Sequence, residues 1–485
     1  MQFISGTFLI FFAAAFAVCF LVKKEYRYLI LLVANYVFYG WNNLSAVPIL
    51  LLATLLTFAG GFVLERKKNR LIYGLFFAAS ICILLFYKYL NFFIDNVNVL
   101  LGLAGSANSI ERVDILTPLG LSFFIFQSTG YLNDVYRKGM PAERNFFRYA
   151  AFVSFFPTVV SGPIQLSREL LPQLKAPADF AFETARKGFL LLVWGFFQKM
   201  VICPQFAQIA NKVFDAYQDY DNVYYLVAAV CYSFYIYCDF SSYSDMACGV
   251  AGILGFRVRK NFKNPYLSQS IGEFWNCWHM SLNTWFIENI YIPLGGSRKG
   301  TLRKYGNIFA VFLFSGLWHG ASWSFIFWGV LNGVLRILEE ILNPAIDKGM
   351  TLCKLSPQNR VVRFIRRGIV FGLITITWVF FRMPTVSSAV HIVKNMLLFY
   401  PSSLLSAHVG ALFGSRLNIG IFATILLLFC LLQYARKEGG KLHTALHKSP
   451  AILQYIACAV MMAICVIIAC SGTTTFDTQF IYFQF

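Results

Sequence analysis

Apolar runs alternate along this chain with short polar or basic stretches, and most are long enough to cross a lipid bilayer. A hydrocarbon core of about 30 Å needs about 20 helical residues, and runs approaching that length lie near residues 4–22, 28–41, 45–64, 71–94, 117–136, 187–203, 222–241, 306–320, 321–342, 368–384, 417–435 and 450–471. The pattern predicts an all-α integral membrane protein of about 11–12 transmembrane helices. The runs at 28–41 and 306–320 are short and need flanking residues or a locally thinned bilayer to span. Two stretches read as re-entrant instead. Tyr149 to Ile164 is apolar but carries Pro157, Gly162 and Pro163, which break helices. Cys238 to Gly255 contains DFSSYSD, two aspartates and three serines in apolar surroundings. Broken backbone at membrane depth requires protein or a water-filled cavity to satisfy it, so a cavity is expected nearby.

Composition agrees with the pattern. Hydrophobic residues make up 58% and charged residues 13% of the chain, and the mean hydropathy is +0.62, against roughly 25% charged residues in soluble domains. The net charge of +19 would suggest nucleic acid in a soluble protein. Here the basic residues cluster between apolar runs, which points to membrane topology and lipid contact and away from nucleic acid. With the N-terminus outside, inner segments hold 34 of the 41 lysines and arginines, the others being Lys88, Arg112, Lys199, Lys212, Arg382, Lys394 and Arg416. The positive-inside rule then places both termini outside. Met1 to Phe20 has no basic residue ahead of its apolar run and no small-residue cleavage site, so it reads as a retained first span. The twelve cysteines include no C-x-x-C pair. Neither a disulfide framework nor a metal site is expected, and Cys19, Cys82, Cys430, Cys458, Cys465 and Cys470 read as small core residues. No internal repeat or soluble module is evident, so residues 1–485 read as one polytopic domain with its motifs concentrated in 235–333.

Candidate chemistry lies between Gly272 and Gly333. His279 and His319 each follow a tryptophan, Trp278 and Trp318, in apolar sequence. His279 precedes an amphipathic run ending in YIPLGGSRKG, which places it toward the cytoplasmic side. His319 sits at a break between two apolar runs, where Gly316 and Gly320 would let the backbone bend around a lumen. A charge at the centre of a membrane helix costs about 2.5–3.5 kcal/mol on insertion scales, so intramembrane ionisable groups mark sites by default. The competing reading is an imidazole that only bonds a neighbouring helix. His391, His408, His443 and His447 read as surface residues. The sequence has no G-x-S-x-G elbow, phosphate loop or dinucleotide fingerprint beside either histidine, and no second histidine at metal spacing. A histidine without a protein nucleophile is best used as a general base on a substrate hydroxyl, which suits direct transfer of an activated acyl group.

Five segments in order carry a resemblance. PLGLSFFIFQSTGYLNDVYRK (118–138), FFPTVVSGPIQLSRELLPQL (155–174), YIYCDFSSYSDMACGVAGILGFRVRKNFKNPY (235–266), FWNCWHMSLNTWFIENIYIPLGGSRKG (274–300) and GLWHGASWSFIFWG (316–329) resemble the membrane-bound O-acyltransferase superfamily. The branch that O-acetylates alginate and other exported polysaccharides is the most similar, and the ending FDTQFIYFQF (476–485) resembles it too. The resemblance implies a ring of helices around a central tunnel joining a cytoplasmic donor to an external acceptor. His319, in W-H-G, takes the place of the essential catalytic histidine and His279, in W-x-x-W-H, that of the second.

On this reading His319 deprotonates an acceptor hydroxyl that attacks a thioester, either acetyl-CoA or an acyl-carrier protein, as substrate and with no tightly bound cofactor. Asp239, Ser241 and Asp245 line or brace the tunnel, or bond helix ends. Gln127 bonds substrate or a neighbouring helix. Trp275, Trp278 and Trp318 form wall and packing, and Arg298 and Lys299 are the residues expected to dock the donor. Implied partners are an exported hydrolase-like (SGNH-type) acyltransferase and a polysaccharide synthase complex, in a bacterial cytoplasmic membrane. Departures from the branch pattern fall at Asn276 and Cys277, where a basic pair is common, at Ile287 and Glu288 in place of Arg-Asp, and at Asn332 in place of a histidine. Alternatives within the class are D-alanyl transfer to teichoic acid and peptidoglycan O-acetylation. Outside it stands a transporter, although the repeat-related halves common in transporters are not visible here.

Overall fold

The computed structural model describes residues 1–41, 43–106, 108–398, 410–414, 416–435, 449–471 and 480. Regular structure among these residues is helical. The helices are α1 (Gly6–Leu21), α2 (Arg27–Gly40), α3 (Val47–Arg66), α4 (Arg70–Leu103), α5 (Leu121–Lys138), α6 (Phe146–Val153), α7 (Ser167–Lys175), α8 (Phe182–Phe197), α9 (Cys203–Asp215), α10 (Asn222–Ile253), α11 (Ile271–Cys277), α12 (Met280–Phe286), α13 (Thr301–His319), α14 (Trp323–Leu352), α15 (Arg360–Arg382) and α16 (Val386–Leu397), then Arg416–Ala435 and Ala451–Ser471. A π-helical turn, Gln198–Ile202, joins α8 to α9.

Each of the twelve apolar runs falls on a helix. Among the described residues, six helices are long and apolar enough to cross a membrane by themselves: Leu44–Arg66, Arg70–Leu103, Phe182–Asp215, Asn222–Ile253, Arg360–Arg382 and Ala451–Cys470. The described residues form two compact units, one from Met1–Leu192 and Tyr243–Lys260, the other from within Val193–Ser242 and Asn261–Ile481.

In the first unit the chain breaks where its prolines say it should. Helix α6 stops at Val153, and residues 154–166 run buried through Pro157, Gly162 and Pro163 before α7 begins. Backbone groups in such a segment need partners, because apolar surroundings supply none. Asn35, fully buried on α2, meets two of them and one side-chain hydroxyl. Its Nδ2 donates to the Ala151 carbonyl at 3.0 Å and the Ser154 hydroxyl at 3.2 Å, and its Oδ1 accepts from the Phe156 N–H at 2.8 Å. Gln127 on α5 does the same one layer away, donating to the Phe152 carbonyl at 2.5 Å and accepting from the Gln165 N–H at 3.2 Å. Of its two expected roles, Gln127 therefore takes the helix-bonding one. Asp134, at the end of α5, accepts from Ser167 at 2.7 Å and pairs with Arg168 at 2.6 Å, which anchors the start of α7.

Some expectations are corrected here. DFSSYSD does not break the chain, because it lies inside the uninterrupted α10. Its polar groups are matched without opening the backbone: Ser242 donates to the Asp239 carbonyl within the helix at 2.7 Å, Ser241 receives the Gln198 amide, and Asp239 pairs with Lys199. No proline or glycine forces a break there. Cys82, Cys430 and Cys470 are exposed and not core, since each falls on the outer face of its apolar helix. His391 lies on α16, exposed, against Tyr217 and Tyr225. His408, His443 and His447 lie outside the described residues, as does the ending 476–485 apart from Phe480.

Replacing Asn35 by leucine should destabilise the protein by about 1–3 kcal/mol for each buried backbone group left without a partner. A denaturant-unfolding comparison in detergent micelles checks this, and equal midpoints for variant and wild type would remove Asn35 from the account.

Candidate active site

Both histidines of interest belong to the second unit, and local chemistry explains how each is presented. Helix α11 starts at a side-chain cap: Ser270 Oγ accepts the Glu273 N–H at 2.9 Å, and the Glu273 carboxylate accepts the N–H of Gln269, just before the cap, at 2.7 Å. Two further N–H groups of its first turn, on Ile271 and Gly272, donate to the carboxylate of Glu339 on α14. The helix ends at Cys277, and two residues later the chain turns at His279, whose φ of 43° and ψ of 51° are left-handed. That conformation costs a residue with a Cβ about 1–2 kcal/mol. Neighbouring bonds hold it: the Met280 N–H donates to the Asn261 carbonyl at 2.9 Å, the Lys263 N–H to the Cys277 carbonyl at 3.0 Å, and Ser281 Oγ to Asn261 Oδ1 at 2.6 Å. Backbone strain held this firmly is characteristic of functional positions.

His319 is the last residue of α13, and the extended residue Gly320 begins the turn into α14. Gly316 does not bend the chain around a lumen as expected; it sits inside the helix and lets α14 approach. A Cβ on Gly316 would lie 2.4 Å from the Phe325 carbonyl oxygen, and one on Gly329 would lie 2.4 Å from that of Phe312. The two backbones touch at this crossing, which holds His319 against Trp328.

Each imidazole is enclosed by aromatic rings. His279 is 3% exposed and meets the edge of Phe240 at a centroid distance of 4.7 Å. His319 is 4% exposed and lies 5.0 Å from both Trp328 and Phe381. Trp318 touches both, 5.7 Å from His279 and 4.8 Å from His319. Burial pushes the His279 pKa down to about 3, so its imidazole is neutral at physiological pH.

One cavity of about 230 Å³ is lined by both histidines, by Trp275 and Trp278, and by polar groups including Asn276 and Asn283. The sequence-level pair is thus brought together. Trp318 is not in the lining and instead packs against both imidazoles. Trp328 lies behind the lining, stacked 5.8 Å from Trp378. Trp378 and Phe381, both on α15, were missed by sequence reasoning, because an aromatic residue on an apolar helix gives no signal that distinguishes a site wall from core.

The remaining candidates are placed elsewhere. Asp239 is fully buried and forms an ion pair with Lys199 in the π-helical turn, with Phe480 over the ammonium at 4.3 Å. Its Oδ1 also accepts from the thiol of Cys203, the first residue of α9, at 3.7 Å, and Asp239 is not among the residues that line the cavity. Asp245, half-buried on α10, and Gln127 belong to the first unit. Arg298 and Lys299 are exposed in the turn before α13 and do not line the cavity, since Gly295, Gly296 and Gly300 at positive φ curl that loop on itself. The cations that do line it are Lys304 and Arg336, accompanied by Glu340. A charge bias near the loop was legible in sequence, but not which of its cations face inward. Asn332 is buried and donates to the Trp328 carbonyl one turn back at 2.9 Å.

A model of the membrane-bound O-acyltransferase family (MBOAT) matches residues 103–383. A probable alginate O-acetylase of Azotobacter vinelandii is 35% identical over 390 residues, covering 79% of this chain and 75% of that protein. Another probable alginate O-acetylase, of Pseudomonas putida, is 34% identical over 439 residues, covering 88% and 87%. A peptidoglycan O-acetyltransferase of Helicobacter pylori is 31% identical over 399 residues, covering 76% and 73%.

Two comparisons of variants test the local structure. His279→Gly should be more stable than His279→Ala by about 1 kcal/mol, because glycine removes the left-handed strain, and paired thermal melts check it. Lys199→Met, which leaves Asp239 buried without its cation, should cost about 3–5 kcal/mol, while the double variant Lys199→Met/Asp239→Leu should recover most of the loss. Unfolding midpoints of the three proteins decide the point.

Proposed function

This chain belongs to the membrane-bound O-acyltransferase family, and from that premise we propose that it transfers an acetyl group from a cytoplasmic thioester to hydroxyls of an exported polysaccharide. The protein is an acyltransferase embedded in a membrane by its apolar helices. The observation that carries the finer reading is the placement of His279 and His319 on one aromatic-walled cavity. The relatives named as alginate O-acetylases cover most of the chain and support acetyl as the group and polysaccharide as its destination.

In the proposed step the acceptor hydroxyl gives its proton to the imidazole of His319 as its oxygen attacks the thioester carbonyl carbon. A carbon–oxygen bond forms, and the tetrahedral intermediate collapses with cleavage of the carbon–sulfur bond. The proton then passes from the imidazolium to the departing thiolate. The aromatic wall excludes water, which protects the thioester from hydrolysis and strengthens each electrostatic contact inside. His279, neutral and rigidly held, is suited to bond the thioester or the acceptor and is assigned that positioning role. The acceptor is a sugar hydroxyl or a hydroxyl of an exported partner acyltransferase that completes the transfer in a polysaccharide synthase complex, and the setting is a bacterial cytoplasmic membrane.

Release of thiol from acetyl-CoA and from an acetylated carrier protein, measured for purified protein in nanodiscs, tests the reading. His319→Ala should lower turnover by about 10²–10⁴-fold, the range of general-base catalysis, while remaining folded. Wild-type turnover in that variant would remove His319 from the chemistry. Absence of turnover with either donor, even with an exported partner present, would overturn the proposed reaction.

A further inference from the structure

Four charged side chains on two helices cluster at the polar end of the cavity, and three of them line it. Lys304 on α13 pairs with Glu340 on α14 at 2.6 Å. Arg336 reaches the other oxygen of Glu340 at 2.7 Å and Glu339 at 3.3 Å. Glu339 is committed elsewhere, since its carboxylate also caps the first turn of α11. Among the described residues, Glu340 makes the two ion pairs alone. Lys304, Arg336 and Glu340 all line the cavity that holds the two imidazoles.

We propose that Lys304 and Arg336 form the binding site for the phosphate of a phosphopantetheine-type thioester donor, with Glu340 as the anion that the phosphate displaces. This inference rests on the acyl-transfer reading above and specifies the donor's recognition. Charge supports it, because the four groups sum to neutral, and a phosphate entering in place of Glu340 leaves both cations paired. Arg and Lys at a common anion are the usual donors to phosphate oxygens.

Length supports it as well. Lys304 and His319 are the two ends of one helical stretch, 15 residues apart on α13, so their Cα atoms are separated by about 22 Å at 1.5 Å per residue. An anion held at one end and a reactive carbonyl presented at the other require a long, thin, mostly uncharged arm. A pantetheine arm has about fourteen bonds between phosphorus and acyl carbon, equivalent to roughly five extended residues or ~16 Å, and the imidazole of His319, on a side chain that leans toward the helix N-terminus, shortens the remaining gap. Topology gives a third support: the charge bias places Lys304 and Arg336 among the inner segments, the side from which an intracellular thioester arrives.

The same chemistry is carried by coenzyme A and by the prosthetic arm of a carrier protein, and the probes separate them. Binding of 4′-phosphopantetheine and of pantetheine, which differ by the phosphate alone, is measured by tryptophan fluorescence on the full-length protein in nanodiscs. Wild type should bind the phosphorylated probe at least about tenfold more tightly, as expected for charge-assisted bonds. Lys304→Met and Arg336→Met should reduce that ratio toward one, Lys304→Arg should retain it, and Glu340→Gln should increase it by removing the competing anion. An equal preference for phosphate in wild type, Lys304→Met and Glu340→Gln overturns the proposal, as does a wild-type ratio of one. Thermal melts of each variant confirm that a lost ratio is not lost folding. Coenzyme A and an apo- against holo-carrier comparison then show which source carries the arm. Binding is read without turnover, so failure of the acyl-transfer reaction and failure of this site are separately visible.

Discussion

A polar group removed from water must find a partner inside the protein, and in apolar surroundings that requirement governs nearly every irregular feature of this chain. The broken stretch after α6 exists because Asn35 and Gln127 supply the donors and acceptors that a regular helix would have supplied for itself. The start of α11 is held by Glu339 reaching from α14, and the strained turn at His279 is held by the Asn261 segment. Unregistered backbone at membrane depth is tolerated only under such conditions. Each irregularity thus has an identifiable side chain on which it depends.

The two imidazoles are presented by opposite means. His319 is carried by a helix whose end is fixed by close glycine packing, so its position depends on two backbones touching at Gly316 and Gly329. His279 is carried by a strained turn between two short helices, so its position depends on hydrogen bonds from outside its own elements. Trp318 contacts both rings and couples the two placements. The aromatic box of Trp328, Trp378 and Phe381 then excludes water from one side while ion pairs close the polar end. An uncharged, rigid, dry site with charge confined to one end suits a substrate that carries its own charge far from its reacting carbon.

Buried ion pairs elsewhere follow the same logic on a larger energetic scale. Lys199 and Asp239 lie in the π-helical turn and in α10, and their ion pair offsets the cost of burying each charge. They explain why DFSSYSD, which looks like a helix breaker, instead sits within a continuous helix. A polar run breaks a helix only when its own side chains are the best available partners for the backbone, and here they are matched across to a neighbouring turn.

Much was legible before any coordinates. Period, hydropathy and charge bias are local properties of the chain, and they sufficed for the helices, the membrane class and the proline-broken segment. The two tryptophan-flanked histidines were legible because an imidazole in apolar sequence is costly enough to stand out. Which side chains meet is not a local property. Arg298 and Lys299 were the natural donor candidates by sequence, yet Lys304 and Arg336 face the cavity, because three glycines curl the loop and α13 turns its own cation inward. Gly316 read as a hinge and proved to be a contact between helices, a role fixed by what α14 brings to it. Trp378 and Phe381 carried no signal at all, since an aromatic ring on an apolar helix looks the same in sequence whether it faces lipid, core or the aromatic shell around a buried imidazole. Helices came from the chain's own periodicity; the site came from packing, which no single segment contains.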